Sequence, residues 1–113
     1  VFNAHTTASE ALWAGLPVIT KSGRGFAARV AGSLLTAVGL PELIAIDEQE
    51  YERLALEFAK DPEKLARLKC KLEANRLETD LFNTEQYTRD LESGFYKAYD
   101  RYFCDLAPDD VFV

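Results

Sequence analysis

A polar triplet, His5-Thr6-Thr7, opens a short apolar segment from Ala8 to Ala14. Gly15 and Pro17 close that segment, and Val18-Ile19-Thr20 follows with the branched side chains of a buried parallel strand. Polar loop, helix, glycine stop and strand in so few residues describe a loop-to-helix entry of an α/β domain. Such entries are where anionic ligands are held, because the first turn of a helix carries N–H groups with no partner inside the helix. Thr7 is read as the cap of the helix, with Glu10 completing a T-x-x-E capping box and Gly15 at the permissive position beyond its end.

Lys21 to Gly25 reads as a loop carrying two positive charges, and a second helix is predicted from Phe26 to Val38, ended by Gly39. Leu40-Pro41 starts a short helical turn, and Ala45-Ile46 is a brief final strand. From Asp47 the pattern becomes helical throughout. Asp47 is an N-cap ahead of a stripe of Tyr51, Leu54, Ala55, Phe58 and Ala59. Asp61-Pro62 restarts the pattern as cap and first helical residue, and Leu65, Leu68 and Leu72 share a face through Asn75. A loop is expected from Arg76 to Phe82. Asn83 then caps a last helix, Thr84 to Phe103, with Tyr87, Leu91, Phe95, Ala98 and Tyr102 on one face. The tail, 104–113, has no period and reads as a loose end. The organisation expected is a βα part (1–46), C-terminal helices (47–103) and a tail (104–113).

A length of 113 residues suits about one small domain. No apolar run approaches the ~18 residues that span a bilayer. Cys70 and Cys104 are too few for a disulfide framework or a zinc site and are expected to be free thiols in a reducing, cytoplasmic compartment. A net charge of −6 argues against a nucleic-acid partner, yet leaves room for a diphosphate at a helix terminus. The chain holds no Met and starts at Val1 in an apparent loop, which reads as part of a longer protein.

Each candidate residue has two readings. The N–H groups and hydroxyls of Thr6 and Thr7 suit a diphosphate, or Thr7 simply caps the helix. His5, the lone histidine, is placed to bond a phosphate or sugar oxygen or to carry a proton, or it packs against its loop. Glu10 either closes the capping box or accepts hydrogen bonds from ribose hydroxyls. Lys21 and Arg24 are charge partners or solvated surface, Arg29 is read as held by an acid or a loop carbonyl, and Trp13 as core.

The run Phe2-Asn3-Ala4-His5-Thr6-Thr7-Ala8-Ser9-Glu10-Ala11-Leu12-Trp13-Ala14-Gly15-Leu16-Pro17 closely resembles the protein O-GlcNAc transferase family, including SPINDLY-like and bacterial members. The likeness runs on through Val18-Ile19-Thr20, and Phe26 to Val30, Ser33 to Ala45, Glu50-Tyr51, Asn75-Arg76-Leu77, Leu81 to Thr84 and Tyr87 to Glu92 continue it in order. The resemblance implies an α/β fold, part of the Rossmann-like C-terminal half of a GT-B glycosyltransferase and mostly helical here. It implies transfer of a sugar with inversion, GlcNAc from UDP-GlcNAc in the main branch and fucose from GDP-fucose in SPINDLY-type members, onto Ser or Thr of proteins. No metal or cofactor is implied. By position, His5, Thr6 and Thr7 would contact the donor diphosphate and sugar, and Glu10 stands where the family usually has a ribose-binding Asp. Ala28 stands where many relatives have Ser. The family's phosphate-binding lysine and base-reading residues lie upstream, so no catalytic residue is assigned and the isolated piece is expected to be inactive. Protein acceptors, the upstream GT-B half and tetratricopeptide repeats are the implied partners, with no membrane. The alternatives are a silent nucleotide-sugar-binding module and a helical interaction module whose triplet is only a cap.

Overall fold

A computed structural model describes residues 2–113. In chain order it contains α1 (Thr6–Trp13), β1 (Thr20–Lys21), α2 (Val30–Ala37), β2 (Ile44–Ala45), α3 (Glu48–Lys60), α4 (Pro62–Glu78) and α5 (Thr84–Phe103). Turns of 3-10 helix lie at Phe26–Ala28, Pro41–Leu43 and Asp80–Phe82. The chain divides into two compact units, Val1–Phe82 and Asn83–Val113. Asp47 therefore marks a change of pattern within one packed unit, since α3 lies against both strands and α4 against α1.

In the first unit β1 and β2 pair in parallel, Thr20 opposite Ile44 and Lys21 opposite Ala45. The parallel pairing agrees with the strand chemistry, but each strand is displaced by one or two residues. Val18 and Ile19 precede the ladder and pack against the core, while Ile46 is exposed. Helices cover the pair with a core of Leu12, Leu35, Val38, Leu40, Leu43, Leu54, Phe58, Leu68 and Leu72.

Both glycine stops work as expected. At the end of α1 the Gly15 N–H donates to Leu12 O (3.1 Å) and the Leu16 N–H to Ala11 O (2.8 Å), with Gly15 at φ +79°. At the end of α2 the Gly39 N–H donates to Thr36 O (3.0 Å) and the Leu40 N–H to Leu35 O (2.8 Å), with Gly39 at φ +74°. Each is a Schellman motif that satisfies carbonyls the helix leaves open. Gly39 is also crowded: a Cβ there would sit 2.7 Å from Asn75 Nδ2, whose amide donates to Val38 O at 2.9 Å. Gly39→Ala is expected to cost about 1–2 kcal/mol from the left-handed backbone alone. Displacement of Asn75 adds to that loss, which a fall in the thermal midpoint would measure.

The predicted caps of the later helices are present. Asp47 Oδ1 accepts from the Glu50 N–H (2.8 Å), and Glu50 Oε2 accepts from the Ile46 N–H (2.9 Å). Asp61 Oδ1 accepts from the Lys64 N–H (2.9 Å), with Pro62 opening α4. The Lys64 ammonium also bonds Glu57 across this turn and holds that carboxyl below its ordinary range.

Several expectations are corrected. The capping box of α1 does not form, because the helix begins at Thr6 with His5 at its N-cap and no side-chain cap. The helix predicted from Phe26 splits into a 3-10 turn and α2, and Ala28, Ala31, Leu35 and Val38 are buried while Phe26 is exposed. The loop expected at Arg76 is helix through Glu78, since Arg76, Leu77 and Glu78 are good helix formers. Trp13 is not core. It is half exposed, edge-on to Phe82 at 5.1 Å and beneath the Arg76 guanidinium at 5.3 Å.

In the second unit, Asn83 Oδ1 accepts from the Gln86 N–H (3.0 Å) and opens α5 at the expected residue. Its aromatic face is exposed at Tyr87, Phe95 and Tyr102. The tail has no regular structure but is not loose. Arg101 donates to Ala107 O (2.6 Å), Lys97 donates to Phe112 O (2.6 Å), and Val113 approaches the bare side of Gly94. No helix among the described residues is long and apolar enough to cross a membrane.

Candidate functional site

The N-terminal end of α1 carries the four residues singled out from the sequence. The N–H groups of Ala8 and Ser9 both donate to His5 O, at 3.0 and 3.2 Å. Those of Thr6 and Thr7 have no acceptor among the described residues, and both side chains are exposed without a hydrogen bond. Two open amides and two hydroxyls thus stand at the positive end of the helix dipole. Because Thr7 does not cap, its hydroxyl is not committed to the backbone.

His5 is half buried. Its ring stacks on Phe2 (4.8 Å between centroids, 14° between planes) and meets Phe26 edge-on at 6.1 Å. Its Nε2 lies 3.3 Å from Ala27 O. With the proton on Nε2 that contact is a hydrogen bond, and Nδ1 has no partner among the described residues. A second proton on Nδ1 makes that atom a donor to an anion. Packing and ligand-binding readings therefore coexist: one ring edge fixes the loop and the other is unengaged.

Glu10 is exposed and makes no hydrogen bond within the described residues. It lies three and four residues beyond Thr7 and Thr6, so it shares their helix face one turn on. The structure thereby removes the capping role that competed for its oxygens.

A second segment reaches this end of α1. Ala27 O accepts from the Asn3 N–H (2.8 Å) as well as facing His5, and Asn3 Nδ2 donates to Lys21 O (3.3 Å). Asn3 is buried, and its Oδ1 has no partner among the described residues. This clamp was missed in the sequence, where Asn3 reads as one more polar loop residue. An open groove of about 430 Å³ borders Phe2, Asn3, Thr20, Lys21, Glu48 and Tyr51. Of the nearby cations, Lys21 is paired with Glu48 at 2.9 Å. Arg24 and Arg29 are exposed, and Arg29 forms neither the ion pair nor the carbonyl contact expected of it among the described residues. The charge opposing an anion here comes from backbone amides more than from side chains.

The sequence profile of glycosyl transferase family 41 matches residues 1–91. A UDP-N-acetylglucosamine–peptide N-acetylglucosaminyltransferase of Caenorhabditis elegans is 36% identical over 109 residues, covering 96% of this chain and 10% of that protein. A probable enzyme of the same description from Arabidopsis thaliana, SEC, is 40% identical over 98 residues, 86% of this chain and 10% of its own length. A solved Thermobaculum terrenum O-GlcNAc transferase mutant, K341M, superposes with a TM-score of 0.79 at 34% identity, covering 85% of this chain and 18% of that one. The chain spans about a tenth of the length of these curated relatives.

Proposed function

The chain belongs to glycosyl transferase family 41, and from that premise we propose that it forms the donor-side part of a protein O-glycosyltransferase. In this reading it is a piece of the Rossmann-like C-terminal half of a GT-B enzyme, with 1–46 holding the donor and the helices from residue 47 onward belonging to the same half. The reaction is transfer of GlcNAc from UDP-GlcNAc to Ser or Thr of proteins, with inversion. The relatives of Caenorhabditis elegans and Arabidopsis thaliana are described as UDP-N-acetylglucosamine–peptide N-acetylglucosaminyltransferases, which supports that donor and a peptide acceptor.

The observation that carries the reading is the open first turn of α1, with amides and hydroxyls of Thr6 and Thr7 unengaged. As the glycosidic bond breaks, charge collects on the departing diphosphate. Donors already fixed toward those oxygens stabilise it without reorganising, so the interaction strengthens in the transition state. His5, through Nδ1, adds a further contact to diphosphate or sugar, and Glu10 accepts from the ribose hydroxyls. No step in this scheme calls on a metal ion or cofactor. The two exposed free thiols, Cys70 and Cys104, suit a reducing, cytoplasmic setting.

Glu10→Ala tests the ribose contact in the complete enzyme. Loss of hydrogen bonds to a carboxylate, each about 1.5–3 kcal/mol, is expected to weaken UDP-GlcNAc binding roughly ten- to a hundredfold. The melting temperature should hardly move, because no cap is lost. Unchanged affinity measured by calorimetry would remove Glu10 from the site.

A further inference from the structure

The last turns of α4 touch the C-terminal ends of both α1 and α2. Asn75 Nδ2 donates to Val38 O, at the end of α2, and Arg76 Nη1 donates to Trp13 O (2.7 Å), at the end of α1. Arg76 comes from 63 positions further along the chain, and its guanidinium also lies over the Trp13 ring. Two consecutive residues thus close the two Schellman ends, each on a carbonyl that the motif leaves open.

We propose that Arg76 is a positioning residue for the donor diphosphate, acting through α1. The inference rests on the donor-site reading above. Helix α1 has eight residues, about 12 Å of rise, so its two ends move together. It is held on its inner side by only two buried residues, Ala8 and Leu12. A short rod anchored by one large and one small side chain can pivot, and a pivot at Trp13 swings the Thr6 and Thr7 amides at the other end. Arg76 opposes that pivot in two ways. Its Nη1–H bond holds the Trp13 carbonyl, and the ring beneath fixes the plane of the guanidinium. Its positive charge also sits at the negative end of the helix dipole. The Arg76 Nε is buried without a partner among the described residues, so the side chain holds this geometry at the expense of one donor.

The test compares Arg76→Gln and Arg76→Lys in the complete enzyme, with the Michaelis constants for UDP-GlcNAc and for an acceptor peptide measured separately. Arg76→Gln is expected to raise the UDP-GlcNAc KM and the UDP Kd roughly tenfold, since misplacement by a fraction of an ångström suffices, while the acceptor KM stays at its wild-type value. Arg76→Lys, which keeps the charge and a donor but not the plane stacked on Trp13, should recover only part of the loss. If Arg76→Gln does not fold, Arg76→Lys alone decides: a two- to threefold rise confined to the donor, of the order expected from partial misplacement, supports the role. Donor constants equal to wild type, or donor and acceptor constants shifting together, overturn it. Thr7→Val and Glu10→Ala separate the two readings. If both bind UDP as wild type does, the donor site itself is misplaced and the positioning role falls with it. If both are weakened and the Arg76 variants are not, only the positioning role fails.

Discussion

Thr7→Val in the complete enzyme is expected to lower kcat about a hundred- to a thousandfold, the loss of about 2.7–4 kcal/mol seen when one donor is removed from a site of developing charge. The substitution keeps the shape of the side chain and the backbone N–H, and removes one hydroxyl. That hydroxyl is exposed and bonds nothing among the described residues. Stability should therefore change by no more than about 0.5 kcal/mol, the usual range for a surface substitution. The two effects part because Thr7 lies one position inside the helix and does not cap it. Had it been the cap, its loss would cost about 1 kcal/mol of stability as well. Initial rates with UDP-GlcNAc, together with a thermal melt, separate these outcomes. A kcat within threefold of wild type would remove the hydroxyl from the transition state.

Leu12→Ala is expected to be the most damaging single change to the fold. Leu12 is fully buried, the one large side chain that α1 contributes to the core. Truncating a buried leucine costs about 2–5 kcal/mol, the transfer term plus the cavity left behind. The low end applies if α2 and α4 close onto the gap and the high end if they hold their places. Because the same side chain ties the site helix to the core, donor affinity should fall along with the melting temperature. Thr7→Val should show no such joint loss. A melting temperature unchanged by Leu12→Ala would contradict the packing described for α1.

What the sequence made readable was whatever rests on local chemistry. Asp47, Asp61 and Asn83 cap helices because a short acceptor before a periodic run has one good use, and Gly15 and Gly39 stop helices because few other residues accept positive φ. The site was half readable. His5-Thr6-Thr7 advertised an open helix terminus, but the same letters spelled a capping box with Glu10, and only the helix start at Thr6 separates the two. Long-range contacts were invisible. Nothing local tells that Arg76 reaches Trp13, that Asn3 shares the Ala27 carbonyl with His5, or that Trp13 lies at the surface under a guanidinium. Those bonds join residues that only the folded chain brings together, and they determine where the readable motifs point.

Amide hydrogen exchange on the complete enzyme, with UDP and GDP added in turn, tests donor binding at α1 most directly. One of the two nucleotides should slow exchange across His5 to Glu10, most strongly at Thr6 and Thr7, whose N–H groups have no acceptor among the described residues. Saturating nucleotide that protects another region and leaves this segment exchanging at its free rate would contradict the account.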